Sequence, residues 1–362
     1  MQNKWISAIG LMSGTSLDGL DVAFCRFKLI GEQWEWELVG AETVPFEAEL
    51  VAQLKNAATL SAIELYNLDN ELGVWMGKNV LEFTNKHGFK PNLIASHGHT
   101  IFHQPNKGLS IQIGNLNAIH ATVHVPVINN FRQLDVLKGG QGAPLVPVGD
   151  ALLFAEYDYC INLGGIANIS FADQENNRRA FDISICNIGL NFLANELGYA
   201  YDKNGEVAQS GKVYRPLLEQ LNMLPYYKIA GPKSLGIESL REEVFPLLLS
   251  STLSVADKLA TLTDHIAYQI VEVLLANNKN EGKILVTGGG AFNETLINSI
   301  NSKLPGGLEL AITSKSIIEY KEAVIFAFLG VLRALNKVNI YASVTGAQSD
   351  TVAGDQIGKV CF

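Results

Sequence analysis

The residue types that handle phosphate are concentrated in Ile9-Gly10-Leu11-Met12-Ser13-Gly14-Thr15-Ser16-Leu17-Asp18-Gly19-Leu20-Asp21. Gly14 and Gly19 allow backbone conformations and close approaches that a side chain would block. Ser13, Thr15 and Ser16 add hydroxyls and, with their neighbours, a run of backbone N–H donors able to ring an anion. Asp18 or Asp21 could hold a divalent cation, or its water shell, beside a phosphate. The same composition also suits a Gly-Ser turn with no ligand. A second polar group is Ser96-His97-Gly98-His99-Thr100 with His103. No Asp, Glu or Cys stands nearby to complete a metal site, so polar pocket lining is the stronger expectation. His120 and His124 lie in an apolar stretch and read as core or edge histidines. Arg132 could clamp a carboxylate or phosphate with two N–H groups, or pair with Asp135 three residues on.

These residues need strands and turns to hold them. The apolar runs Trp5 to Leu11 and Val22 to Phe27 predict a hairpin around the first glycine turn, with a third strand over Trp34 to Pro45. Leu65, Leu68, Leu72, Trp75, Met76 and Val80 recur at helical spacing, and Gly88 with Pro91 predicts the stop. Asn92 to Ala95 reads as a buried strand with the histidine group at its carboxyl end, where α/β sheets collect ligands. Lys138-Gly139-Gly140-Gln141-Gly142-Ala143-Pro144 is a glycine-rich loop. In the second half, Tyr159 to Phe171 is again strand, glycine turn and strand, with Gly164-Gly165 at the turn. Ile284 to Asn293 predicts a strand, the triple glycine Gly288-Gly289-Gly290 and a helix, preceded by a helix carrying Leu259, Leu262, Ile266, Ile270 and Val273. Neither a P-loop nor a dinucleotide-binding glycine fingerprint is present. One phosphate-grade turn per half predicts two α/β domains of similar design with a nucleotide between them.

At 362 residues the chain suits two domains, and 48% hydrophobic with 17% charged residues indicates a globular protein. A net charge of −9 without a basic stripe argues against nucleic acid as a partner. The run Ala323 to Leu332 is too short to span a bilayer, so no membrane association is expected. The early Trp5-Ile6-Ser7-Ala8-Ile9 segment is too short for a secretory leader and reads as strand one. The 4 scattered cysteines, Cys25, Cys160, Cys186 and Cys361, fit buried thiols in a reducing cytoplasm.

The ordered motifs resemble those of the anhydro-N-acetylmuramic acid kinase family, within the sugar kinase/Hsp70/actin superfamily. The matching residues are Gly10 to Asp21, Ser96-His97-Gly98, Gln112-Ile113-Gly114, Phe131-Arg132, Gly139 to Pro147, Asn162 to Asn168, Phe181-Asp182, Tyr201-Asp202 with Gly205, Gly288-Gly289-Gly290 with Asn293, and Val344 to Ala347. The resemblance covers essentially the whole chain. It implies two ribonuclease-H-like domains with mixed sheets flanked by helices and a nucleotide in the interdomain cleft, with junctions giving 1–130 plus 336–362 and 131–335. It also implies a homodimer using ATP and Mg²⁺. The implied reaction opens 1,6-anhydro-N-acetylmuramic acid with water and phosphorylates O6, giving N-acetylmuramic acid 6-phosphate in peptidoglycan recycling.

Residue by residue, the resemblance makes Asp182 the general base that activates the water. Gly14, Thr15, Ser16, Leu17, Asp18, Gly19, Leu20 and Asp21 would bind the ATP phosphates, with Asp18 reaching Mg²⁺ through water. Gly164 and Gly165 would meet the phosphates from the second domain, and Gly288, Gly289 and Gly290 would seat adenosine. His97, Arg132 and Asn187 fall on the amino-sugar side, Arg132 for the lactyl carboxylate. Two departures stand out: His99 replaces the family's usual Gln, and Asp182-Ile183-Ser184-Ile185-Cys186-Asn187 replaces its Gly-Pro-Gly-Asn run after the base. They keep two alternatives open, a kinase of the same fold for another sugar and a weakly catalytic ATP-binding sensor.

Overall fold

The apolar runs on either side of the first glycine turn pair as an antiparallel hairpin, β1 (Ile6–Met12) with β2 (Leu20–Ile30), and β3 (Gln33–Val44) extends it. The computed structural model describes residues 4–14, 17–229, 231, 233–236, 239–277 and 281–361. The chain divides into two compact units, residues 1–154 with 320–362, and residues 155–319.

In the first unit, β4 (Leu93–Ser96) and β7 (Val127–Asn129) run parallel to β1, and β13 (Asp355–Ile357) closes the sheet in the order β13-β7-β4-β1-β2-β3. A separate hairpin, β5 (His99–Gln104) and β6 (Leu109–Ile113), leaves the main sheet after β4. Leu11 pairs with Ser96, so the carboxyl ends of β1 and β4 deliver the glycine turn and the histidine group to one edge. The helix Ala62–His87 starts at a Ser61–Glu64 capping box and stops at Gly88, as its spacing predicts. Such a cap contributes about 1 kcal/mol. Its Leu68, Leu72, Met76, Val80 and Phe83 are buried in the core with Ile9, Leu11, Leu20 and Val22.

The helix Lys315–Ala334 carries the chain from the second unit back to the first. The unit boundaries differ from the junctions expected at 130/131 and 335/336, because local packing keeps 131–154 and 320–335 in the first unit. Lys321 Nζ meets Asp150 Oδ1 at 2.6 Å as a buried ion pair. Trp36 Nε1 donates to the Leu153 carbonyl at 2.8 Å, and the Phe131 and Phe326 rings lie 5.8 Å apart. Breaking such a buried pair would leave an uncompensated charge, so these segments cannot move out of the unit cheaply.

In the second unit, β8 (Tyr159–Leu163), β9 (Ile166–Ala172), β10 (Arg178–Ile185), β11 (Gly282–Thr287) and β12 (Leu308–Ile312) form a sheet ordered β10-β9-β8-β11-β12. The helix Val255–Ala276 is long and apolar enough to cross a membrane, yet its Leu259, Leu262, Ile266, Ile270 and Leu274 are fully buried in this unit's core. In each main sheet the strands run three-two-one-four-five, with the second antiparallel to its neighbours. Both units are therefore ribonuclease-H-like. Cys25, Cys160 and Cys186 are buried free thiols, and Cys361 is exposed.

Candidate active site

In the first unit the turn after β1 is tied to the histidine group. Ser13 Oγ lies 2.9 Å from His99 Nδ1, and both groups are buried. Thr15 and Ser16 fall outside the described residues. Leu17 holds a φ of 60° and donates its N–H to the Gly14 carbonyl at 3.3 Å. That left-handed backbone costs a residue with a side chain about 1–2 kcal/mol, the kind of strain found at ligand clamps. Asp18 is exposed, and Asp21 Oδ1 accepts from Thr43 Oγ1 at 2.6 Å. Leu20 is fully buried, and a Cβ at Gly19 would sit 2.5 Å from the Val44 carbonyl oxygen. These two residues therefore seat the turn on the sheet, and only their backbone could face a phosphate.

The chain turns at Gly98, so His97 and His99 meet different partners. Arg132 Nε and Nη2 both donate to His97 Nε2, at 3.0 and 2.9 Å, and Arg132 Nη1 donates to the Gly142 carbonyl at 2.6 Å. His97 Nε2 is thus an acceptor, which leaves the proton on Nδ1 to donate to the Gly98 carbonyl at 2.9 Å. Burial, and then the Arg132 charge, hold the His97 pKa well below the usual histidine range. Burial draws the Arg132 pKa down to about 10, against a rise from Glu322, so it stays cationic at neutral pH. Among the described residues these bonds use three of the five guanidinium N–H groups, which leaves two able to meet an anion.

Asp135 is not the partner of Arg132, in contrast to one of the expected pairings. Its carboxylate accepts from the Gly142 N–H and from Thr345 Oγ1, both at 2.8 Å, and so clamps the glycine-rich loop. Further along the β5–β6 hairpin, His103 Nδ1 lies 3.0 Å from Ser110 Oγ. Gln112 Nε2 donates to the same hydroxyl at 3.0 Å, while Gln112 Oε1 is buried and has no hydrogen-bond partner among the described residues. Among the described residues no group of three or more His, Cys, Asp or Glu is arranged to hold a metal ion.

In the second unit, the turn Gly164-Gly165, the start of the helix Asn187–Asn195 and Gly288 to Gly290 meet at the carboxyl ends of β8 and β11. Gly164 O and Gly165 O accept from the N–H groups of Asn187 and Cys186, at 3.1 and 3.0 Å. Asn187 Nδ2 donates to the Leu163 carbonyl at 2.9 Å. Asn187 therefore stands with these glycine turns in the second unit, while His97 and Arg132 belong to the first. Gly288 has a φ of 80°, and a Cβ there would lie 2.4 Å from Asn162 Oδ1. The backbone at this corner therefore strongly favours glycine. Asn293 then caps the helix Glu294–Lys303 by accepting from the Leu296 N–H at 3.0 Å.

Asp182 sits on β10 opposite Asn168, next to a bulge at Ile183. Its Oδ2 accepts from the Leu235 N–H at 2.9 Å and from Ser234 Oγ at 3.2 Å. Among the described residues Oδ1 has no hydrogen bond, so it is available to a proton donor. Burial raises the Asp182 pKa above the ordinary carboxylate range, although these two hydrogen bonds pull it down. Such a carboxylate can take a proton from water at neutral pH more readily than an exposed one.

The structure adds residues that no motif signalled. Glu322 reaches solvent, yet surrounding protein desolvates it and raises its pKa, against the lowering charges of Arg132 and Lys321. Asp21 and Asp150 raise it further, which links Glu322 electrostatically to the glycine turn. The signal available in the sequence was the charged pair Lys321-Glu322 at the head of the apolar run Ala323 to Leu332. Tyr226 and Tyr227 carry no local pattern at all; only folding brings them to β10.

A family model for anhydro-N-acetylmuramic acid kinase matches residues 6–358. The chain is 33% identical over 369 residues to an anhydro-N-acetylmuramic acid kinase of Francisella tularensis subsp. novicida, covering 96% of this chain and 97% of that protein. It is 35% identical over 363 residues to the protein of that name from Shewanella putrefaciens, with 96% and 97% covered. The Bacillus cereus protein of the same name is 32% identical over 372 residues, again with 96% and 97% covered.

Proposed function

The chain belongs to the anhydro-N-acetylmuramic acid kinase family, and from that premise we propose that it opens 1,6-anhydro-N-acetylmuramic acid hydrolytically and phosphorylates the freed O6 with ATP. The products are N-acetylmuramic acid 6-phosphate and ADP, and the setting is cytoplasmic recycling of cell-wall sugar by a homodimer. The observation that carries the reading is the half-committed carboxylate of Asp182. With Oδ2 held by Leu235 and Ser234, Oδ1 is left to receive the proton of the water that attacks the anomeric carbon. Opening the anhydro bond then leaves O6 as an alkoxide or hydroxyl, the nucleophile for the γ-phosphoryl group.

Phosphoryl transfer asks mainly for positioning and charge neutralisation. The Gly14 to Asp21 turn and Gly164-Gly165 supply backbone for the phosphates, and Gly288 to Gly290 leave room for the adenosine. The exposed carboxylate of Asp18 suits a Mg²⁺ ion held through its water shell. The two uncommitted N–H groups of Arg132 suit the lactyl carboxylate, with neutral His97 as the brace that orients the guanidinium.

The alternative of a different sugar draws support from one feature. Ser184 and Ile185 continue β10 as a paired strand where the family's usual run has glycines and a proline, which puts Cβ atoms at positions 184–186. An ADP-release assay with Mg·ATP separates the readings, comparing 1,6-anhydro-N-acetylmuramic acid, N-acetylmuramic acid and N-acetylglucosamine. Turnover on the anhydro sugar alone is expected. Turnover only on another sugar would transfer the assignment to the alternative, and ATP binding without turnover would favour a sensor.

A further inference from the structure

Two consecutive tyrosines in the 3-10 segment Pro225–Lys228 grip β10 on either side of its bulge. Tyr226 Oη donates to the Asp182 carbonyl at 2.7 Å, and Tyr227 Oη lies 3.1 Å from Ser184 Oγ. The residue between them, Ile183, is the extra residue of the bulge and is buried in the core.

The tyrosines are themselves fixed. Tyr227 Oη lies 2.9 Å from His265 Nε2, and His265 Nδ1 lies 2.6 Å from Asn222 Oδ1, which also accepts from Gln269 Nε2 at 3.1 Å. An amide oxygen only accepts, so His265 carries its proton on Nδ1 and its Nε2 accepts from Tyr227. The chain then has one direction, Ser184 to Tyr227 to His265 to Asn222. Burial takes the His265 pKa down to about 3, so the ring stays neutral and this direction holds across the working pH range. Lys233 Nζ donates to the Tyr226 carbonyl at 3.1 Å and stands 4.4 Å from the centre of the Tyr226 ring. The Lys233 carbonyl in turn accepts the Asp182 N–H at 3.1 Å, and the next two residues provide the donors to Asp182 Oδ2.

We propose that Tyr226 and Tyr227 act as a hydroxyl staple that fixes the Ile183 bulge and so aims the Asp182 carboxylate, replacing in this chain the rigidity that a Gly-Pro-Gly run would give. The tyrosines are positioning residues, and the inference rests on the reading of Asp182 as the base. It accounts for how β10 tolerates side chains at 184–186: Ser184 is fully buried with its hydroxyl satisfied, and no left-handed backbone is used there. The ionisable groups packed around this end of β10 are Tyr226, Tyr227, Lys233 and His265, with Glu243 acting on Tyr227.

The test is Tyr226→Phe, Tyr227→Phe and the double variant, each read in two ways. Turnover on the sugar found active above should fall about tenfold in the double variant, with the KM for ATP within about twofold of the parent. Independently of activity, a carbon-13 titration of the Asp182 carboxyl, assigned by its loss in Asp182→Asn, should move to higher pH as the Leu235 and Ser234 hydrogen bonds loosen. In a background carrying Ser184→Gly, Ile185→Pro and Cys186→Gly, the ratio of kcat with and without the Tyr227 hydroxyl should fall towards one. If the double variant does not unfold cooperatively, Ser184→Ala removes the other end of the same contact and should shift the titration in the same direction. An unmoved titration together with parental kcat overturns the staple, whether or not Asp182→Asn is inactive. An active Asp182→Asn overturns the base but not the titration result, so the two failures are told apart.

Discussion

The two units share a strand order and place a glycine turn between their first and second strands, yet they use that turn differently. In the first unit the chain between β1 and β2 carries Asp18, Asp21 follows on β2, and Glu322 couples electrostatically to both Asp21 and the cationic Arg132. In the second it is only Gly164-Gly165, and its carbonyls are spent on the backbone of Cys186 and Asn187. The second turn thus accepts from the start of its own helix, whereas in the first the Leu17 N–H closes back on the Gly14 carbonyl. The same topology thus offers charge near the turn of one unit and a tightly shaped glycine corner in the other. Asp182, the proposed base, lies in the second unit, where burial raises its pKa.

The sharpest way to break this division is Asp182→Asn, which should lower kcat by about a thousandfold while binding of a non-hydrolysable ATP analogue by calorimetry is retained. Because its folded pKa is raised, ionised Asp182 costs stability as pH rises through that pKa. The variant should therefore unfold no earlier than the parent at pH near 7, and an earlier transition would show a structural role instead. Arg132→Lys tests the first unit next. It keeps the charge but loses the fork that spans His97 and Gly142, and kcat/KM for the sugar acid should fall about a hundredfold. A fall in ATP affinity instead would place Arg132 on the phosphate side.

Gly288→Ala tests the second unit. A Cβ there would collide with Asn162 and Leu163, so about 1–3 kcal/mol of stability should be lost in denaturant unfolding, with a roughly tenfold weaker ATP analogue affinity. The pH dependence of folding sharpens the picture of the second unit's neutral core. His265, at about 3 when folded against 6.5 as the ordinary value, contributes stability that is complete above the ordinary value and lost as pH falls towards the folded one. The slope is about 1.4 kcal/mol per pH unit in that window, and His265→Gln should flatten it. The smallest effect belongs to Asp18→Asn, with the Mg²⁺ needed for half-maximal turnover rising about threefold, since an exposed side chain acting through water contributes little. No change in that requirement would remove Asp18 from the metal's surroundings.

Much of this molecule is written in local pattern. The turns at Gly14, Gly164 and Gly288 follow strands because β-branched and apolar runs flank them, and the stop of the helix at Gly88 is visible as a glycine before a proline. The motif around Asp182 was legible through its neighbours in sequence, and its proposed role follows from that resemblance. Other assignments were not. Asp135 was a natural partner for Arg132 at three residues' spacing, but spacing says nothing of direction, and the short helix turns its carboxylate to the glycine-rich loop. Leu20 and Gly19 sit within a phosphate-type motif, yet one fills the core and the other makes room for Val44.

The sequence by itself determined the family, the two-fold repetition of the sheet and the glycine corners, because periodicity and turn chemistry act over a few neighbouring residues. Only the tertiary structure decided where the units divide, that His97 is the neutral brace of Arg132, and that Tyr226, Tyr227 and His265 converge on the strand of Asp182. These are contacts between residues tens to hundreds of positions apart. Their partners are chosen by burial and hydrogen-bond satisfaction in the folded core, which no local spacing encodes.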